Sequence, residues 1–187
     1  MKMKDYINDF TTHLQDALNI GENASLDSKF ITIDSVLICG LGGSGIGGTI
    51  VNDIICKNAT VPIAVSKDYS IPNFVNKNTL VIVSSYSGNT EETLSALEKC
   101  QSRSSEIAII TSGGKLKLIA EENKYNKIII PGNQPPRAMF GYAFTELFFI
   151  LYHYGIINNS FKNQFKKAIS LLNNEQENIK GKALVLA

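Results

Sequence analysis

The sequence predicts an α/β fold, a three-layer α/β/α sandwich on a doubly wound, five-stranded parallel sheet with flanking helices at both ends. Short, almost wholly apolar runs alternate with segments of helical periodicity, which is typical of parallel strands covered on both faces. Turns rich in glycine or serine follow the first and third of these runs. In such sheets ligands bind at the carboxyl ends of the strands, so the same observations also predict a binding site.

Length and composition limit the classes of function. The 187 residues suffice for one domain, or for one domain and the start of another. A hydrophobic share of 44% supports a real core, whereas a formal net charge of +1 gives no field to gather nucleic acid or an anionic membrane. The longest apolar stretch, residues 144–154, contains Glu146 and is too short to span a membrane. We therefore expect no nucleic-acid partner and no membrane span, and a core helix at 144–154.

Cysteines, histidines and the N-terminus indicate a cytoplasmic protein without a metal. Cys39 lies in an apolar run and Cys56 and Cys100 in predicted helices, which favours reduced, buried thiols. His13 and His153 lie far apart, so no zinc site is expected, and His13 is predicted to be a half-exposed structural residue. The first ten residues lack the apolar core of a signal peptide, which favours a cytoplasmic location.

Each element follows from a local pattern. An amphipathic helix is predicted at 4–18. Strands are predicted at 36–40, 61–65, 80–84, 107–110 and 127–130, and the helices between them at 49–56, 93–100 and 115–122. A proline-rich loop at 131–137 precedes helices at 138–154 and 161–172. The segment 173–182 is polar, and its charged cluster at 175–180 is predicted to be a solvated helix end; the apolar segment 183–187 is predicted to start a further buried element.

The turn after the third strand has the composition of an anion site. Its residues are hydroxyl side chains and turn formers: Ser84, Ser85, Ser87, Gly88, Asn89 and Thr90. A helix begins directly after them, and a helix N-terminus carries partial positive charge and unpaired N–H donors. The turn contains no Lys or Arg, so we expect a phosphate held by hydrogen bonds. The alternative is that Thr90 or Ser87 caps the helix, with Glu91 or Glu92 completing a capping box.

The glycine-rich turn after the first strand allows two interpretations. Residues 40–45 match the dinucleotide pattern G-x-G-x-x-G between a strand and a helix, which predicts nucleotide binding. The acid that should follow the second strand is missing, however, because Ser66 and Lys67 come before Asp68. Two serine-bearing turns at neighbouring strand ends instead favour one phosphate held from both sides.

These motifs resemble a known family. Residues 38–48 and 85–93 are similar to the SIS (sugar isomerase) phosphosugar-binding domain, whose sheet is flavodoxin-like. Residues 69–72, and Gln134-Pro135-Pro136-Arg137-Ala138, narrow the resemblance to the bifunctional phosphoglucose/phosphomannose isomerases, which are built from two SIS domains. The resemblance covers residues 36–154. It implies residues 1–155 as a SIS domain with its N-terminal helix, and 156–187 as a helical linker and the truncated start of a second SIS domain.

The resemblance also implies roles for individual residues. The sugar phosphate is bound by hydroxyl side chains and by glycine backbone: Ser44, Ser85, Ser87, Thr90, Gly43 and Gly88. Arg137 would lie near C1 and C2 of the sugar. These enzymes interconvert glucose 6-phosphate or mannose 6-phosphate with fructose 6-phosphate through a cis-enediol(ate), and no cofactor is expected. A guanidinium stabilises that anion more than the neutral substrate, so Arg137 is the predicted catalytic residue. A structural Arg that bonds loop carbonyls is the alternative.

Other parts of such an active site are expected outside this chain. The proton-transferring Glu, the ring-opening His and a Lys come from the second SIS domain in this family, and a homodimer completes the site. The acids at 175–177 precede that domain, so the base is not assigned to them. The 187 residues alone are therefore expected to bind sugar phosphate with little turnover. A stand-alone sugar-phosphate-binding regulatory SIS module without catalysis is the alternative function.

Overall fold

Seven α-helices and five β-strands lie along the residues that the computed structural model describes, 2–28 and 31–186. The strands are β1 (Ser35–Cys39), β2 (Ile63–Ser66), β3 (Thr79–Ser84), β4 (Glu106–Thr111) and β5 (Asn126–Ile129). The helices are α1 (Met3–Asn8), α2 (Phe10–Glu22), α3 (Gly42–Ile55), α4 (Glu91–Ser102), α5 (Gly114–Glu122), α6 (Phe140–His153) and α7 (Ser160–Leu186). A 3-10 turn, Pro136–Met139, precedes α6.

The five strands form one parallel sheet in the order β2-β1-β3-β4-β5. At the centre of the sheet, Leu80 of β3 lies between Val36 of β1 and Glu106 of β4. This is the doubly wound strand order, in which β2 lies on one side of β1 and β3, β4 and β5 follow on the other side. The predicted fold class is confirmed, and the predicted strands agree with the observed ones to within two residues at each end.

Alternate residues of the central strands face two separate hydrophobic layers. Ile38 and Ile82 point into the layer formed by α2, α3 and α6. Cys39 and Val83, their neighbours in sequence, point into the opposite layer with α4 and α5. Both layers exclude water almost completely at the central strands β1, β3 and β4, which is why these strands are mainly apolar.

α3 begins seven residues before the predicted helix, within the glycine-rich turn itself. Glycine is a poor helix former, so the glycine-rich composition of residues 40–48 predicted a turn here. Close packing explains the glycines. A Cβ on Gly45 would lie 2.5 Å from the carbonyl oxygen of Gly40, and one on Gly48 would lie 2.8 Å from Ile38 Cγ2. The helix can therefore lie close against β1 only because these two positions have no side chain.

The N-terminal helix is divided and extended relative to the prediction. α1 ends at Asn8, and α2 begins at Phe10 and continues to Glu22, so Asp9 lies at a bend. The prediction of a half-exposed His13 is wrong, because the imidazole is buried between Tyr6 and Tyr142, with ring centroids 6.3 and 5.4 Å away. His13 therefore belongs to the core that joins α2 to α6.

The two C-terminal helices differ in how well they match expectation. α6 is buried over almost its whole length in the chain's own core, which confirms the predicted core helix. α7 does not end near residue 172 but continues through the polar segment to Leu186. Leu184 and Val185 are 77% and 86% exposed, so the prediction of a fresh buried element at the end of the chain is wrong in this structure.

The first residues after α6 pack with the rest of the chain. Ile156 and Ile157, together with Phe161 and Phe165 of α7, belong to the same hydrophobic layer as α6. The division into a domain at 1–155 and a linker at 156–187 stays a prediction.

Membrane-spanning helices and metal-binding clusters are both absent from the described residues. None of the helices in 2–28 and 31–186 combines the length and apolar character needed to cross a membrane. The same stretches bring together no group of three or more His, Cys, Asp or Glu side chains that could hold a metal ion. The cysteine prediction is correct for Cys39 and Cys100, which are buried, and wrong for Cys56, which is exposed at the end of α3.

Candidate functional site

A cavity of about 310 Å³ lies where β1 and β3 end, which are the neighbouring strands between which the strand order reverses. Its walls come from the turn into α3, from the turn between β3 and α4, and from the 3-10 turn before α6. The lining residues are Leu41, Gly43, Ser44, Ser85, Tyr86, Ser87, Thr90, Pro136 and Arg137. The structure thus brings together six of the seven residues predicted for the site, all except Gly88.

Hydroxyl groups dominate one wall of the cavity. The Oγ of Ser85 and the Oγ1 of Thr90 lie 2.8 Å apart and hydrogen-bond to each other across the turn. Ser87 accepts a hydrogen bond from the Asn89 backbone N–H at 3.2 Å, which directs its hydroxyl proton elsewhere. The backbone N–H of Ser85 donates to the Ile110 carbonyl, so this turn is anchored to β4.

Neither helix that begins at the cavity is capped by a side chain. Thr90 occupies the N-cap position of α4, but its hydroxyl bonds to Ser85 and not to the helix. Leu41 occupies the N-cap position of α3 and has no side-chain donor or acceptor. The capping alternative is therefore not what the structure shows. The free N–H groups of both first turns, and the positive ends of both helix dipoles, remain available to an anion.

The two predicted glycines differ in their surroundings. A Cβ built on Gly43 meets no atom within 4 Å, because that position faces the open cavity. Gly88 has a φ of +67°, and a Cβ there would lie 1.9 Å from the Gly113 carbonyl oxygen. Gly88 is thus needed for close packing of the turn against the loop after β4, and its contact with phosphate stays a prediction.

Arg137 is exposed on the 3-10 turn and lines the same cavity as the serines. No described residue forms a hydrogen bond or an ion pair with its guanidinium. The alternative of a structural Arg that bonds loop carbonyls therefore has no support along the described chain. Arg137 also borders a second, apolar groove of about 410 Å³ between α1 and α7, so the guanidinium lies between two open spaces.

Sequence reasoning missed a hydrogen-bonded chain beside Arg137. The Tyr86 hydroxyl accepts a hydrogen bond from the Gln134 backbone N–H at 3.0 Å. The Tyr6 hydroxyl of α1 donates to the side-chain oxygen of Gln134. Tyr86 and Gln134 stand inside motifs that the sequence already singled out, but 128 residues separate Tyr6 from Gln134 and no pattern connects them.

A buried acid was also missed. Glu146 of α6 is fully buried, and neither carboxylate oxygen has a hydrogen-bond partner among the described residues. Burial raises the pKa of Glu146 to about 9. In the sequence it was only an interruption of an apolar run.

The cavity contains no group that could act as a general base at neutral pH. Its lining residues include neither a carboxylate nor an imidazole. Glu177 lies in the middle of α7, where it pairs with Lys180 at 2.9 Å. His153 lies at the end of α6, with its Nε2 3.0 Å from the Asp27 carbonyl oxygen. Phosphate binding and charge stabilisation are therefore what this arrangement can supply.

Comparison with known proteins identifies the family. The model of the SIS domain matches residues 29–153. The chain belongs to the SIS domain family. A bifunctional phosphoglucose/phosphomannose isomerase from Caldicellulosiruptor bescii is 41% identical over 167 residues, which make up 89% of this chain and 49% of that protein. A D-glucosamine-6-phosphate 4-epimerase from Sulfolobus acidocaldarius is 39% identical over 121 residues, 64% of this chain and 38% of that protein.

A solved structure supports the same SIS fold. The C-terminal domain of glucosamine-fructose-6-phosphate aminotransferase from Francisella tularensis superposes with a TM-score of 0.66 at 18% identity, covering 92% of this chain and 53% of that one. This SIS chain spans about half the length of the curated relatives named above, or less. Family membership favours the prediction of one phosphate held by two turns over the prediction of a nucleotide.

Proposed function

We propose that this chain supplies the phosphate-binding half of an aldose–ketose isomerase that interconverts glucose 6-phosphate or mannose 6-phosphate with fructose 6-phosphate. One observation carries the proposal. Two helix N-termini without a side-chain cap, the hydroxyls of Ser44, Ser85, Ser87 and Thr90, and an Arg137 that pairs with no described residue surround one cavity. The isomerases among the relatives, 41% identical in the case of Caldicellulosiruptor bescii, support the choice of reaction.

Phosphate fits the serine side of the cavity for a chemical reason. Each phosphate oxygen accepts hydrogen bonds, and the serine side offers only neutral donors, namely hydroxyls and backbone N–H groups. Hydrogen bonds to a charged group stabilise by about 1.5 to 3 kcal/mol each. Several such bonds therefore hold a dianion without any buried cation.

The reaction itself moves one proton between two carbons. Removal of the proton from C2 of the aldose leaves a cis-enediolate whose negative charge is shared by the oxygens on C1 and C2. The hydroxyl proton of the C2 oxygen then passes to the C1 oxygen, and return of a proton at C1 gives the ketose. A guanidinium fixed beside those oxygens stabilises the enediolate more than the neutral sugar. Arg137 lines the same cavity as the serines, so a sugar whose phosphate lies at the serines would share the cavity with its guanidinium.

The acid and base groups must come from another part of the active enzyme. Because the cavity lining includes no carboxylate or imidazole, we propose that a second SIS domain supplies them and that the active form is a cytoplasmic homodimer. The 187 residues alone should then bind sugar phosphate and turn it over very slowly. Rapid conversion of fructose 6-phosphate by this chain alone would contradict the proposal.

Binding of fructose 6-phosphate, measured by titration calorimetry, tests the phosphate site. Ser44→Ala removes one hydroxyl from the first turn of α3 and places alanine where a helix tolerates it well. The loss of one hydrogen bond to phosphate predicts a Kd about 10- to 100-fold higher. Ser170→Ala, an exposed position on α7, is the matched control and should bind like the unsubstituted protein.

Competition identifies the group that is recognised. Inorganic phosphate should displace fructose 6-phosphate, and unphosphorylated fructose should not bind measurably. If Ser44→Ala binds as tightly as Ser170→Ala, the cavity between the two serine turns is not the phosphate site.

The second candidate function is a sugar-phosphate-binding module without catalysis. The observation that favours it is the same lack of a base in the cavity. Both functions predict the binding results above, and they differ in turnover by the protein produced from the complete reading frame. Isomerisation of glucose 6-phosphate by that protein supports the enzyme, and tight binding without turnover supports the module.

Choice of sugar is proposed to lie outside this half. The epimerase from Sulfolobus acidocaldarius, 39% identical over 121 residues, acts on an amino sugar phosphate by its name. Similar phosphate-binding halves thus serve different reactions. Substitutions among the serines should therefore weaken the binding of glucose 6-phosphate and of mannose 6-phosphate equally.

A further inference from the structure

Tyr86 joins three separate segments at the edge of the cavity. Its backbone carbonyl accepts hydrogen bonds from both the N–H and the hydroxyl of Ser112, at 3.0 and 2.7 Å, in the loop after β4. Its side-chain hydroxyl accepts from the Gln134 N–H at 3.0 Å, in the loop after β5. The residue that lies between Ser85 and Ser87 in the phosphate turn therefore also contacts the loop that leads to Arg137.

Gln134 is held from a second side by the N-terminal helix. The hydroxyl of Tyr6, a buried residue of α1, donates to the Gln134 side-chain oxygen. Gln134 is thus bound by its backbone to the phosphate turn and by its side chain to α1, although the residue itself is exposed. In solvent an exposed glutamine is otherwise free to adopt many rotamers, so these two bonds set its position.

The segment from Gln134 to Arg137 has little freedom of its own. Pro135 and Pro136 each fix one φ angle, and the Ala138 N–H donates to the Pro135 carbonyl at 2.9 Å. Asn133, directly before Gln134, has a left-handed φ of +59°. Because the segment is stiff, the position of Gln134 determines where the Arg137 backbone lies.

Nothing else on the described chain restrains the Arg137 guanidinium. It has no hydrogen bond or ion pair with any described residue, and it borders both the polar cavity and the apolar groove between α1 and α7. A small shift of the backbone would change which of the two spaces it occupies. Catalysis of the proposed kind requires the guanidinium to stay within about 3 Å of the reacting oxygens.

We propose that Tyr86 is a positioning residue, whose hydroxyl fixes Gln134 and thereby holds Arg137 over the end of the cavity where the enediolate forms. Tyr6 supports Gln134 from the other side. This inference rests on the proposed function. Tyr86 then has two separable roles. Its backbone forms part of the phosphate turn, residues 84–90, and its hydroxyl acts on Arg137 through Gln134.

The test compares a probe that occupies only the phosphate side of the site with one that also extends to the reacting end. Inorganic phosphate occupies the serine side alone. A five-carbon sugar hydroxamate carrying a terminal phosphate adds a group that mimics the cis-enediolate and contacts the Arg137 side. Tyr86→Phe removes the hydroxyl and keeps the ring. We expect the Kd of inorganic phosphate to change less than about 2-fold and the Kd of the hydroxamate to rise about 10-fold, the effect of one lost hydrogen bond.

Tyr125→Phe is the matched control. Its hydroxyl accepts a single hydrogen bond from Gln101 Nε2 at 3.0 Å, and it lies in the loop between α5 and β5, away from the cavity lining. It should bind both probes like the unsubstituted protein. Tyr6→Phe removes only the hydrogen bond from α1 to the Gln134 side chain. It should raise the Kd of the hydroxamate, as Tyr86→Phe does, and leave the Kd of inorganic phosphate unchanged.

The outcomes separate this inference from the proposed function. If the unsubstituted protein binds neither probe, the phosphate site itself is wrong. If it binds both, and Tyr86→Phe matches Tyr125→Phe, the phosphate site stands and the positioning role is refuted. An equal loss of both probes in Tyr86→Phe also refutes it, because the hydroxyl would then act on the phosphate.

Discussion

Glu146 makes the stability of this protein depend on pH in a direction that can be worked out. The carboxyl group is fully buried and bonds to no residue in the part of the chain that the structure describes, and burial raises its pKa from 4.5 to about 9. Between these two values the folded chain keeps the proton and the unfolded chain loses it. The unfolded state therefore binds fewer protons, and the free energy of unfolding falls as the pH rises.

The size of the effect follows from the width of that interval. Each pH unit inside it lowers the free energy of unfolding by about 1.4 kcal/mol. At pH 7 the buried acid costs about 3 kcal/mol relative to pH 4.5, and between pH 5 and pH 8 the protein loses about 4 kcal/mol from this group. That loss is a large part of the 5 to 15 kcal/mol that is typical of a folded domain.

Glu146→Gln isolates the contribution of the proton. Glutamine has nearly the same shape and no charge to lose, so the variant should lack this component of the pH dependence. Glu98→Gln, which alters an exposed carboxylate on α4, is the matched control and should follow the unsubstituted protein. The measurement is the free energy of unfolding in urea at pH 5, 6, 7 and 8, compared as a difference between proteins so that all other titrating groups cancel.

The decisive quantity is the slope of that difference. Between pH 5 and pH 8, the free energy of unfolding of the unsubstituted protein should fall by about 4 kcal/mol more than that of Glu146→Gln. This difference between the two pH dependences remains even if the buried amide lowers the stability of the variant by a constant amount at every pH. Parallel curves for the two proteins would show that Glu146 is ionised in the folded state and that the reasoning from burial is wrong.

Three other substitutions or reactions test the structure at single positions. Gly43→Ala should leave the thermal midpoint unchanged and raise the Kd of fructose 6-phosphate about 10-fold, because the added methyl projects into the cavity and meets no protein atom. Gly88→Ala should instead destabilise by about 2 to 4 kcal/mol in urea unfolding, since its φ is +67° and its Cβ would lie 1.9 Å from the Gly113 carbonyl oxygen. Cys56 alone should react rapidly with Ellman's reagent in the native protein, and all three cysteines after unfolding; rapid reaction of a second thiol would contradict the observed burial.

Sequence patterns predicted the sheet well because a buried strand is recognisable as a short run of consecutive apolar residues. The central strands β1, β3 and β4 are buried on both faces over nearly their whole length and are mainly apolar, whereas the edge strands β2 and β5 are only partly buried. Helix boundaries were predicted less well where packing overrides local preference. The first turn of α3 consists of Gly42, Gly43 and Ser44, which form a helix only because Gly45 and Gly48 allow it to lie against β1.

The long final helix was missed for the opposite reason. Residues 173–182 contain no proline and no glycine before Gly181, so nothing in them ends a helix, but they also lack the apolar stripe that predicts one. The Gln176 side chain, which donates to the Asn8 carbonyl at 3.1 Å, is one of the contacts that connect this part of α7 to the N-terminal region. Such a contact joins residues far apart in sequence, and a local pattern cannot report it.

The same distinction explains which parts of the site were predicted. The phosphate turns are local motifs, each complete within a few residues, so Ser44, Ser85, Ser87 and Thr90 were identified before the structure placed them at one cavity. The restraint on Arg137 is assembled from α1, the turn after β3 and the loop after β5. A binding group can therefore be read from one segment, whereas its positioning depends on segments that only the fold brings together, and Tyr86 is the residue where the two meet.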